Sequence, residues 1–154
     1  MEVRALNESE TQALQEGFAF AAQYIGQEHP FSDAQAQELY DAILGAEPDV
    51  GNFQIATGLV FGEMIITNEP FEWVRIIDEY GEETGLCHKD VTVVCHPISM
   101  IQKRLSRREQ VDMKQLRDAT LGTLEEMISS GSYLPRWAAS CGEAVPLSNP
   151  KAGK

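Results

Sequence analysis

At 154 residues, 43% hydrophobic and 23% charged, the chain has the composition of one globular domain, which excludes a disordered protein. It contains no run of about 18 consecutive apolar residues, which excludes a membrane-spanning helix. The net charge of −12 is uneven: positions 1–100 hold 18 acidic and 3 basic residues, positions 101–154 hold 6 acidic and 9 basic. A field of that sign repels nucleic-acid phosphates and attracts basic partners, although solubility alone is the plainer reading of the acidity.

The opening MEVRALNESETQ lacks the basic and apolar regions of a secretory signal, and three cysteines suit a reducing compartment better than a disulfide framework. The expectation is a cytoplasmic protein.

Asn7 with Glu10 forms a capping-box signature, and Leu14, Phe18, Ala21, Ala22 and Ile25 follow at helical spacing. Gly26 and His29-Pro30 predict the end of this helix, because a residue before proline is pushed out of the α region. Ser32 with Gln35 repeats the signature for a second helix, with Ala36, Leu39, Tyr40 and Ile43 inward and Gly45 at its end. AEPDVG then reads as a loop.

A third helix is predicted over 52–66. It is apolar nearly all round, as a central helix is, and Gly58 and Gly62 leave a smooth strip for another backbone. The period then changes. Phe71, Trp73, Arg75 and Ile77 alternate with Glu72, Val74, Ile76 and Asp78, which predicts a strand.

DEYGEETG reads as a turn. Positions 84–88 and 91–96 read as a hairpin around Lys89-Asp90, ended by Pro97. Ile98, Ile101 and Leu105 fit a short helix. Asp112 with Gln115 caps a final helix whose inner face would be Leu116, Ala119, Thr120, Leu124, Met127 and Ile128. Tyr133, Leu134 and Trp137 form a last apolar cluster. The expected organisation is one domain over 1–147 with a frayed tail over 148–154.

Four clusters carry possible chemistry. Cys87-His88 and Cys95-His96 suggest a metal site, but adjacent strand residues point to opposite faces. In the two-residue-turn register, the same-face cysteine and histidine lie about 13 Å apart at ordinary strand rise, too far for one ion. No metal and no cofactor is expected. The same alternation disfavours a Cys95–His96 dyad.

Glu63, on an apolar helix, reads as one half of a structural ion pair with Lys103 or Arg104; its sharper reading is a general base. Asp78, Glu79, Tyr80, Glu82 and Glu83 form an acidic, tyrosine-bearing turn. It reads as a solvated turn or as a protein-contact surface, and its spacing is not that of a calcium loop. KRLSRR, at 103–108, is the single basic run and does not outweigh the acidity elsewhere. No Walker loop, dinucleotide fingerprint or nucleophile elbow occurs.

Gly62-Glu63 on a helix, Trp73 on the following strand, an Asp-Glu-Tyr-Gly turn (Asp78, Glu79, Tyr80, Gly81) and then Pro97, Ser99, Met100, Lys103 and Arg104 occur in an order that resembles a bacterial family known only as a domain of unknown function. The resemblance covers roughly a third of the chain and leaves the first two helices and the tail outside it. It implies a small α+β domain and supplies no activity.

The fold expected is therefore α+β, with helices packed on one face of a small antiparallel sheet of about three strands. The function expected is non-catalytic binding of a basic protein through Asp78, Glu79, Tyr80, Glu82 and Glu83. The most concrete form is an immunity protein (antitoxin) against a cytoplasm-acting bacterial toxin, as a monomer or weak dimer without nucleic-acid or membrane partners. The alternatives are a secretion-type chaperone or adaptor, and an enzyme using Glu63.

Overall fold

The fold is that of a computed structural model, which describes residues 1–45, 51–131 and 133–136. The element order is β1 (Glu2–Arg4), α1 (Glu8–Ile25), α2 (Asp33–Leu44), α3 (Gly51–Ile66), β2 (Phe71–Asp78), β3 (Gly81–His88), β4 (Val94–Cys95), α4 (Pro97–Ser106) and α5 (Met113–Ser129). The strands form one antiparallel sheet in the order β1-β2-β3-β4, so the α+β architecture holds with four strands in place of about three.

Local chemistry sets the helix starts. The Asn7 and Ser32 side chains accept the backbone N–H of Glu10 and Gln35, whose own side chains return to the cap N–H, closing both capping boxes. Gly26 ends α1 in the left-handed conformation, at φ 82°, where glycine carries no Cβ penalty. Asp112 caps α5 by accepting from Gln115 N–H.

The central helix is α3. Ala56, Leu59, Val60, Phe61, Met64 and Ile65 are buried, while Ile55 on its outer side is 40% exposed. The glycine strip has the expected use. A Cβ on Gly58 would lie 2.6 Å from Ile98 Cα, and one on Gly62 would lie 2.3 Å from the Trp73 ring. The start of α4 and the indole therefore rest directly on the helix backbone.

On the sheet, Phe71, Leu86 and Cys95 join the main core with the helices, whereas Val3, Val74, Ile76 and Cys87 form a second buried cluster. Successive strand residues point to opposite faces, so this division follows from the alternation in β2.

Three expectations are corrected. The acidic segment is no broad turn: β3 begins at Gly81, and only Glu79 and Tyr80 lie between the strands. The following hairpin is not closed at Lys89-Asp90. Leu86 pairs with Cys95 and Cys87 with Val94, two residues off the tight-turn register. A shift of two preserves the face of every side chain, since the strand period is two. Finally, the inner face of α5 is corrected in part: Leu124 is buried and Leu116, Met127 and Ile128 pack on the core as expected, but Met113 and Leu121 are its other buried residues and Ala119 is exposed.

Near the C-terminal end of the described chain, Tyr133 packs on the main core, Leu134 O accepts from Thr92 N–H, and Pro135 bridges to Val91. The 46–50 loop, Trp137 and the 148–154 tail lie outside the described residues.

Candidate functional site

The β2–β3 hairpin tip gathers the acidic turn, and its side chains take three different roles. Asp78 Oδ1 accepts the Tyr80 N–H at 2.8 Å, which folds the two-residue turn. Glu82 reaches sideways along the sheet, 3.7 Å from Arg4 Nη2 and 3.8 Å from Arg75 Nε. Glu83 points to the other face, where Ser99 Oγ donates to its Oε2 at 2.7 Å and His96 Nδ1 lies against its Oε1. Among the described residues nothing bonds to the Glu79 carboxylate or the Tyr80 hydroxyl, and Tyr80 is 91% exposed. Of the five expected contact residues, Glu79 and Tyr80 are thus the pair free to engage a partner.

Beside the tip lies an open cleft of about 780 Å³ between β3, α4 and α5. Its acidic wall is Asp78, Glu82 and Glu83, its apolar part includes Met100, Leu124 and Met127, and Lys103 and Arg104 line it from α4. Serine, glutamate and histidine meet at its rim, but in an order unsuited to nucleophilic catalysis. The carboxylate stands between hydroxyl and imidazole. A serine nucleophile needs the imidazole beside it to take its proton.

The expected pairing of Glu63 with Lys103 or Arg104 does not form. Glu63 Oε1 instead accepts the Trp73 indole N–H at 3.2 Å. The part of α4 that meets the Gly58–Gly62 strip beside Glu63 is its beginning, at Pro97 and Ile98. Lys103 and Arg104 lie about 8–10 Å further along the helix axis. Arg104 Nη1 donates to Met100 O, and among the described residues neither cation forms an ion pair. The sequence held a signal for the true partner: Trp73 is the aromatic donor on the strand after α3, and Gly62 beside Glu63 makes room for its ring.

The thiols are kept protonated by desolvation, which pushes Cys87 up to about 11 and Cys95 up to about 12. Cys87 sits in the second cluster and donates weakly to Val91 O, and Cys95 touches Met100 Sδ. They stand on opposite faces of the sheet. His88 is edge-on to Phe71, with ring centroids 5.3 Å apart. Among the described residues no group of three or more His, Cys, Asp or Glu side chains is placed to hold a metal ion.

One cluster has no counterpart in the sequence reading. Arg4 from β1 makes a two-pronged contact with Glu10 of α1, at 2.8 and 2.9 Å. Arg75 Nε lies 3.3 Å from the same carboxylate, without hydrogen-bond alignment. The Arg4 guanidinium and the capping contact with Asn7 hold Glu10 down at about 2. This cluster ties β1 and α1 to the sheet and supplies Glu82 with its cations.

No helix among the described residues is long and apolar enough to cross a membrane. A family model, described as a domain of unknown function (DUF3806), matches residues 34–116, from the start of α2 into α5. No curated protein and no solved structure matches the chain.

Proposed function

The chain belongs to the DUF3806 family, a domain of unknown function, and on that footing we propose that it acts by binding another protein through the tip of the β2–β3 hairpin. The observation that carries this reading is the side chain of Tyr80. A large aromatic ring is 91% exposed in the two-residue turn that joins β2 and β3, between Glu79 and Gly81. Tyrosine offers wide contact area at low conformational cost, and such rings anchor protein interfaces.

The acidic surroundings select a basic partner and would speed its capture. The most concrete form is an immunity protein that covers the basic cleft of a bacterial toxin acting in the cytoplasm. Binding without catalysis agrees with the engaged state of the candidate chemical groups. Glu63 is tied to an indole, Glu83 to a hydroxyl and an imidazole, and Cys87 and Cys95 are buried.

The test is affinity for the basic protein retained by the tagged chain. Replacing Tyr80 by Ala and Glu79 by Lys should weaken it at least tenfold without changing thermal stability. Unchanged affinity would move the contact surface elsewhere.

A further inference from the structure

We propose that the outer edge of β3 is a strand-addition site for an extended segment of the partner, with lysine or arginine near the hairpin tip. The proposal rests on the protein-binding reading and names its mode.

Pairing along the two sides of β3 is unequal. On the inner side β2 accompanies it over its full length, from Asp78↔Gly81 to Phe71↔His88. On the outer side β4 offers two residues, opposite Leu86 and Cys87. Pro97 has no N–H for a ladder and opens α4, so the chain leaves the sheet directly after Cys95 and His96.

The free polar groups follow from the hydrogen-bond alternation. His88 N–H donates outward, to Val93 O. In an antiparallel strand alternate residues bond to the same side, so Leu86, Thr84 and Glu82 also present their N–H and C=O outward. Leu86 is met by Cys95. Among the described residues no backbone group pairs with Thr84 or Glu82 on that side. Gly81 and Glu82 are exposed. An edge of this kind is a ready template for another chain, and folded proteins usually blunt or cover one.

The surroundings define the occupant. The 780 Å³ cleft runs beside this edge. A strand laid there would alternate its side chains. Those on the helix side would meet Met100, Leu124 and Met127, which suits apolar residues. Toward the tip the segment would pass Asp78, Glu79 and Glu82, which suits a cation. Main-chain bonds would supply affinity and alternate side chains specificity, as in other strand additions.

The experiment pans a displayed library of random decapeptides against the full chain. The tightest selected peptide is then synthesised, and amide hydrogen exchange is followed with and without it. Alternate backbone nitrogens of that peptide are methylated in two complementary sets. The proposal expects period-two apolar residues with Lys or Arg in the selected sequences, and slowed exchange at Glu82 and Thr84. One methylated set should lose at least tenfold in affinity while the other stays within about twofold.

Thr84→Pro, which removes the outward N–H at an edge position, should also lose at least tenfold, with far-UV circular dichroism confirming its fold. The methylation series is independent of any variant's folding. A peptide that binds with sensitivity to Glu79→Lys but leaves the Glu82 and Thr84 amides unprotected overturns strand addition and preserves the hairpin-tip reading. Binding indifferent to both Glu79→Lys and Thr84→Pro overturns both. Failure of the library to enrich any peptide overturns strand addition.

Discussion

Gly58 and Ile98 bring two helix backbones together: a methyl group on Gly58 would lie 2.6 Å from Ile98 Cα. Alanine normally gains about 1 kcal/mol over glycine inside a helix. Here that gain is outweighed, because the obstacle is backbone and cannot rotate away. Gly58→Ala should destabilise the fold by about 1–3 kcal/mol, the usual range for overpacking. Gly122 is the control. It lies on exposed α5 with open space around its Cβ position, so Gly122→Ala should stabilise by about 0.5–1 kcal/mol. Urea unfolding of both variants measures the contrast in sign.

The connection between α4 and α5 is held by α2. Gln37 Nε2 donates to Val111 O and its Oε1 accepts from Met113 N–H, both at 2.8 Å, while the Tyr40 hydroxyl donates to Glu109 O at 2.7 Å. Tyr40→Phe should cost about 1 kcal/mol, the ordinary loss for one hydrogen bond. Gln37→Ala leaves two backbone groups without partners and should cost more. Denaturant midpoints rank the two, and equal stability of Gln37→Ala and wild type would remove the clamp from the account.

Acid sensitivity should centre on Glu10. Its folded value near 2 lies below the ordinary 4.5, chiefly through the Arg4 contact and the Asn7 capping bond. A depressed carboxylate stabilises the fold above its unfolded pKa and loses that contribution as pH falls through the folded value. Melting temperature should therefore decline between about pH 5 and pH 2, and Glu10→Gln should flatten part of that slope while lowering the plateau. Thermal scans across that window measure the difference.

Glu69 has the opposite sign. Its carboxyl is raised chiefly by the neighbouring Glu125 carboxylate, which disfavours a second negative charge beside it. A raised acid stabilises below its unfolded pKa and loses that contribution as pH rises through the folded value. Glu125→Gln should relieve the repulsion and raise the melting temperature at neutral pH more than at pH 4.

Much of this fold is legible where the determinants are local. Asn7 with Glu10 and Ser32 with Gln35 announce their helices within four residues, and the alternation from Phe71 to Asp78 fixes a strand and its faces. β1 is not legible, because Glu-Val-Arg is too short for any period and is a strand through its partners Arg75, Ile76 and Ile77. In β3 the Glu-Glu-Thr-Gly segment has weak strand preference, and full pairing with β2 overrides it.

On α5 the half-buried Arg117, paired with Asp33 and Asp118, interrupts the apolar stripe and hides the line from Met113 to Leu121 and Leu124. Within the candidate site, the acids were legible as a group but their division was not. Whether Glu82 turns to Arg4 and Arg75 or Glu83 to Ser99 depends on which elements the sheet brings alongside.

The most direct test of the central claim compares the tagged full chain with its Glu79→Lys/Tyr80→Ala variant in affinity purification from its own cells, at low and high salt, with mass spectrometry of the retained proteins. The account predicts one basic protein held by the native chain, depleted at least tenfold by the double substitution, and captured faster at low salt. The same proteins retained in equal amounts by both chains would contradict a binding surface at the hairpin tip.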